Sequence, residues 1–235
     1  MFQICKRFSV LLVSISNFYL INAEAQKQLN KTEIFNYWVS SKGVLSLTQE
    51  EGLNKFLRFD SNLYNQIKGT LFNLQNLGID KLGVFAYSKP GMITNDTCEK
   101  SIYPTEIYIF YEAQKRGYFK RVTNNCEYQP IRLDSVIIIF EYFEKNFFKI
   151  ENEYIMPVIY GGEINTKGNF SYKGSTSPHE PQFIIFCKSK EKVKFLNFSS
   201  ADYKTKESIF FADNLNSQSY VLFSKIVLLF GILIH

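Results

Sequence analysis

The chain predicts an α+β fold: a single domain of antiparallel hairpins packed against two or three amphipathic helices. Three observations predict it. Two stretches place apolar residues at helical spacing. Two pairs of apolar, aromatic-rich runs are each separated by a short charged turn. Helices and hairpins come in separate blocks, whereas a parallel sheet would alternate strand and helix. A length of 235 residues suits one domain, and 46% hydrophobic residues supply enough apolar material for a core.

Residues 1–25 read as a secretory leader. Lys6 and Arg7 give a basic start, SVLLVSISNFYLI is the apolar run, and Ala23 and Ala25 fit a small-residue cleavage site. Cleavage between Ala25 and Gln26 is expected, with the mature chain secreted, periplasmic or membrane-associated on the outer side. A buried N-terminal helix is the competing reading. Residues 26–47 form an N-terminal extension whose patch IFNYWVS can pack on the domain.

The domain proper is expected over 48–213. Thr48 and Glu51 form a capping box, so a short helix should start there. A second helix should start at Asp60 or Ser61. Leu63, Ile67, Leu71 and Leu74 share one of its faces, and Gly78 ends it from the C′ place. LGVFAYS (82–88) reads as a strand. TEIYIFYEAQ and GYFKRVTN read as a hairpin turning near Arg116-Gly117. Asp134 or Ser135 should open a further helix, since Val136, Phe140, Phe143, Phe147 and Ile150 form a firm helical stripe. Residues 151–182 look irregular. FIIFCKS and KVKFLNFS flank a charged turn at Lys190-Glu191 and read as a second hairpin.

Residues 214–235 read as a polar linker and an apolar tail. From Tyr220 to Ile234 the only charge is Lys225. A spanning helix needs about 20 apolar residues, so this run is short for one. A lipid-anchor signal would need a polar spacer, which is missing. Membrane contact through the tail is expected on its apolarity, and packing on the domain is the competing reading.

The charge balance argues against nucleic acid as a partner. The net charge is +5, and the lysines alternate with acids along the chain, where a nucleic-acid binder concentrates them on one face. No zinc, phosphate-loop, dinucleotide or nucleophile-elbow motif occurs, so no metal and no cofactor is expected. The chain has two histidines, His179 and the terminal His235. His179, with Glu180 beside it, is the one weak candidate for acid–base work. Pro178 and Pro181 bracket it, and a polar surface connection is the stronger reading.

After cleavage three cysteines remain. Cys98 and Cys126 flank the first hairpin in matching polar settings, and Cys187 lies inside an apolar strand. An export signal implies an oxidising space. A Cys98–Cys126 disulfide and a free Cys187 are therefore expected. Such a bridge closes a loop of about 29 residues, worth about 3.5 kcal/mol in the chain-entropy account. The residues together favour an exported, non-catalytic α+β domain with a binding or structural role and an unknown partner. The alternative is a secreted hydrolase using His179 with a nearby carboxylate.

Overall fold

The computed structural model describes residues 27–41, 61–88, 105–123, 126, 128–165, 167, 169–175 and 180–231. The described chain runs β1 (Lys27–Gln28), α1 (Lys31–Ser41), α2 (Ser61–Asn76), β2 (Lys81–Ser88), β3 (Thr105–Ala113), β4 (Arg116–Val122), β5 (Ile131–Arg132), α3 (Val136–Asn152), β6 (Ile159–Ile164), β7 (Phe170–Gly174), β8 (Gln182–Ser189), β9 (Lys192–Ser199), α4 (Ala201–Lys204), α5 (Phe211–Asn216) and α6 (Gln218–Leu229). This is the expected α+β class. Six strands make one antiparallel sheet in the order β5-β4-β3-β2-β8-β9, and β1-β6-β7 make a small second sheet.

The large sheet is covered on both faces, which explains why β2 and β8 read as continuous apolar runs. Alternate side chains go to opposite sides. Phe85, Phe110, Phe183, Ile185 and Cys187 pack with Phe140 and Phe143 of α3 and with Leu222, Phe223 and Ile226 of α6. Leu82, Val84, Ala86, Ile107, Ile109, Ile184 and Phe186 pack with Ile67 and Leu74 of α2. Gly83 is opposite Phe110 in the β2–β3 register, and that ring covers it. A Cβ on Gly83 would stand 2.2 Å from Phe110 Cζ, so no larger residue fits.

The helix ends follow the sequence signals in part. Gly78 has φ +74°, its N–H reaches Gln75 O at 2.9 Å, and Ile79 N–H reaches Leu74 O at 3.1 Å. That is the two-bond motif that closes a helix on a left-handed glycine. Ser135 sits at the N-cap of α3 with helical dihedrals and no side-chain cap bond. Asp134 is committed elsewhere. It accepts from Gly117 N–H at 3.2 Å and from Arg132.

Several expectations are corrected. The first hairpin turns at Gln114-Lys115, since Ala113 pairs with Arg116. Gly117 is needed for another reason: a Cβ there would lie 2.3 Å from Leu133 O. Residues 151–182 are not irregular throughout, because β6 and β7 pair and β1 adds to them. The described part of the 26–47 extension thus joins the fold, with Leu29 and Ile34 packed on Met156, Ile159 and Phe210. The helix expected at 48–57 and the leader at 1–25 lie outside the described residues.

The largest correction concerns 214–235. Residues 214–217 are no linker: Asn214 is buried, donates to Met156 O at 2.8 Å and to Asp202 O at 2.6 Å, and accepts from Met156 N–H at 2.9 Å. The described part of the apolar tail is mostly α6. Ser217 Oγ caps it by accepting from Tyr220 N–H at 3.0 Å, and Leu222, Phe223, Ile226 and Val227 are buried. Phe230 then stacks on Tyr108 at 4.6 Å. In the described part of the tail these side chains are covered by the domain itself, as in the competing reading of packing on the domain. Among the described residues, no helix is long and apolar enough to cross a membrane.

Candidate functional site

The antiparallel order sends the strand connections to two unlike ends. At one end, β3–β4 and β8–β9 are joined by two-residue turns, and α2 enters β2 through Leu77–Asp80. At the other end, β2 leads into 89–104, β4 into 123–130, and β8 is entered from 175–181. Two of the residues singled out from sequence belong to this loop-bearing end, Glu180 and Cys126. His179 and Cys98 themselves lie outside the described residues, as do Ala25 and Gln26.

Glu180 is half-buried. Its carboxylate accepts the hydroxyl of Ser200, which is fully buried at the end of β9. Ser200 N–H donates to Pro181 O at 2.9 Å, so the 180–181 segment is strapped to β9. Asp202, two residues on, accepts Ser199 N–H at 2.7 Å. Burial is the main force on its carboxyl and pushes the pKa up to about 6. Hydrogen bonds from Ser199 and Val158 oppose the rise, and the Glu180 charge adds to it. Tyr203 is only 6% exposed, and its hydroxyl finds no hydrogen-bond partner among the described residues. Burial raises its pKa, helped by Tyr220, Tyr87 and the two carboxylates.

A second polar group stands on β3 and β4 at the same end. Tyr108 hydroxyl donates to Glu106 Oε2 at 2.7 Å, Arg121 Nη2 lies 3.7 Å from Glu106 Oε1, and the Arg121 guanidinium covers the Tyr128 ring. Thr123 and Cys126 close the turn after β4, with Thr123 N–H donating to Cys126 O at 2.9 Å and Cys126 N–H to Thr123 Oγ1 at 3.2 Å.

The turn end holds charges too, but they hold the scaffold together. Lys81 Nζ bridges Glu112 at 3.0 Å and Glu144 at 3.2 Å, and Ser189 hydroxyl donates to Glu144 at 2.5 Å. The Ser189 bond leads in keeping the Glu144 carboxyl low, and Lys81 assists against burial. Further in, Lys194 is buried on edge strand β9. Its Nζ donates to Glu151 O and Glu153 O, each at 2.9 Å, at the negative end of α3. Burial brings its pKa down to about 8. Glu153 carboxylate accepts from Gln218 N–H at 3.0 Å and Ser219 N–H at 2.7 Å, at the positive end of α6. Lys194 thus ties β9 to the end of α3, and Glu153 ties the end of α3 to the start of α6.

Cys187 is a free thiol, buried on β8, and burial pushes its pKa far up, so it is chemically quiet. Among the described residues, no group of three or more His, Cys, Asp or Glu side chains is placed to hold a metal ion. Sequence reasoning found Glu180 but missed Ser200, Asp202 and Tyr203. They follow β9 at the N-cap (Ser200) and inside (Asp202, Tyr203) a four-residue helix too short to leave a periodic signal. Comparison of the chain with family models, with curated proteins and with solved structures finds no match.

Proposed function

We propose that the mature chain is an exported, non-catalytic α+β domain that binds a partner or plays a structural role, with the loop-bearing end of the large sheet as its working face. The leader signals at 1–25 support the export. The non-catalytic reading rests on one observation: the carboxylate of Glu180 is taken up by the buried Ser200 hydroxyl, and that of Asp202 by Ser199 N–H. Held in this way, the two carboxylates fasten the segment before β8 and the end of β9. A Cys98–Cys126 bridge belongs to the same proposal. It would tie the 89–104 connection to the turn after β4. In its favour, Cys187 is a free thiol buried on β8, away from the turn that carries Cys126.

A second reading, a hydrolase using His179 with a nearby carboxylate, draws on a different fact. Glu180 and Asp202 come together from separate segments, and a carboxyl pushed to about 6 suits acid–base work. One experiment addresses both readings. The chain is expressed with its own leader, the exported protein is sequenced from its N-terminus, and the wild type and His179→Ala are assayed on ester, glycoside and peptide substrates. The proposal expects Gln26 as the first residue and no turnover that depends on His179. A retained protein with residues 1–25 intact would refute the export. Turnover that His179→Ala abolishes would replace the non-catalytic reading with the hydrolase.

A further inference from the structure

We propose that Asn169 is an acceptor for an N-linked oligosaccharide, an inference that rests on the export reading. Four N-x-S/T triplets occur in the chain, at Asn30, Asn95, Asn169 and Asn197. Asn95 lies outside the described residues, and the structure separates the other three. Asn169 sits in the β6–β7 connection, immediately before β7, and both it and Ser171 are exposed. Its backbone is held in a tight turn. Asn169 N–H donates to Asn165 Oδ1 at 2.9 Å, and Asn169 O accepts Asn165 N–H at 3.0 Å. Its side-chain amide makes no hydrogen bond among the described residues and points to no structural duty.

Phe170 and Ser171 belong to β7, and the other two triplets differ from this one in their Asn, which is a helix cap in one and a ladder residue in the other. Asn30 Oδ1 accepts Glu33 N–H at 3.0 Å as the cap of α1, and Thr32 is inside that helix. Asn197 pairs with Ile184 in the β8–β9 ladder, and Ser199 N–H is held by Asp202 at 2.7 Å. An acceptor triplet belongs on a surface turn of an exported protein, and Asn169-Phe170-Ser171 meets that condition best.

The reaction needs a polyprenyl-diphosphate-linked oligosaccharide and a membrane oligosaccharyltransferase. A bond forms between Asn169 Nδ2 and the anomeric carbon of the first sugar, and the bond from that carbon to the diphosphate oxygen breaks. The diphosphate leaves with the electron pair, and the amide proton passes to a base of the transferase. The position has a physical consequence. Among the described strands of the small sheet, β7 pairs only with β6 and so stands at its edge. A glycan at the start of that strand shields an edge that would otherwise invite pairing with another chain.

The test secretes the full chain from a eukaryotic host in two versions. One keeps the native leader. The other carries a heterologous cleavable leader in place of residues 1–25. Protein from the medium is treated with an amidase that releases N-glycans and converts the acceptor Asn to Asp, and its peptides are mapped by mass. The expected result is conversion at Asn169 in most molecules. Asn169→Gln and Ser171→Ala should each remove one glycan's worth of gel mobility, and Ser171→Thr should retain it. Secreted protein with Asn169 unconverted under the heterologous leader overturns the assignment. Conversion under the heterologous leader, with no secretion under the native one, supports the acceptor and refutes the export reading instead.

Discussion

The two ends of the large sheet are built by different means. At the turn end both hairpins close in two residues, and Lys81 pairs with Glu112 on the neighbouring strand and with Glu144 on α3. At the loop end the connections are long, and carboxylates are held by buried hydroxyls and amides, as Glu180 is by Ser200. Two helices divide the same way. On one sheet face α3 covers the turn half, with Phe140 on Phe110 and Glu144 beside Ser189. α6 covers the loop half, with Phe223 on Phe183 and Phe198 and with Phe230 beyond its end on Tyr108 and Phe119. Short turns at one end of a sheet and longer connections at the other are the arrangement in which binding residues are commonly carried on a scaffold.

The largest expected effect follows from that division. Deleting residues 219–235 removes α6, and with it Leu222, Phe223 and Ile226 from the core that covers the loop half. Each lost aromatic or aliphatic core side chain costs on the order of 2–5 kcal/mol, so several together exceed the stability of an ordinary domain. The truncated chain should show no cooperative thermal transition by circular dichroism. A cooperative transition near that of the full chain would mean that the loop half does not depend on α6.

Acidity sharpens the comparison next. The Asp202 pKa is about 6 in the fold against 3.8 unexposed to it. A folded value above the unfolded one means that the fold favours the protonated form. The associated stability is fully present below pH 3.8 and is lost as pH rises through about 6, up to about 3 kcal/mol in all. Glu144, at the turn end, has the opposite sign, since its carboxyl is held low and its contribution is lost on acidification. Asp202→Asn keeps an acceptor for Ser199 N–H and does not titrate. In urea unfolding the variant should gain on the wild type between pH 4 and pH 7. Equal pH dependence in the two proteins would contradict the burial of this carboxyl.

The smallest effect belongs to the turn end. Gln114 and Lys115 have φ of 51° and 60°, the left-handed conformation that a two-residue hairpin turn demands and that glycine adopts freely. Lys115→Gly should stabilise the protein by roughly 0.5–1 kcal/mol, read as a rise in melting temperature. A loss of stability would show that the lysine side chain matters more than the turn.

What the sequence made legible follows the same line between the ends. The hairpins were readable because apolar alternation brackets a two-residue charged turn at Lys190-Glu191. α2 was readable to its last residue because Gly78 is where a left-handed cap belongs. β6 and β7 were not, since Gly161, Gly162 and a run of exposed polar residues in 170–174 hide the period of a strand. α6 is ambiguous in the sequence for a physical reason. A helix apolar on most sides fits a deep core as well as a membrane, and only the partners decide. The candidate site was legible at Glu180 alone. Its partners Ser200 and Asp202 are 20 and 22 residues away in sequence, brought close only by the β8–β9 hairpin.

The central claim is that the carboxylate beside His179 fastens a loop and does not turn over a substrate. Glu180→Ala tests it most directly, with unfolding stability and hydrolysis of ester, glycoside and peptide substrates measured on the same preparation. The variant leaves the buried Ser200 hydroxyl without its acceptor, so the account predicts a loss of roughly 1–3 kcal/mol and no change in hydrolysis. A variant as stable as the wild type that has lost a hydrolytic activity the wild type possesses would contradict it.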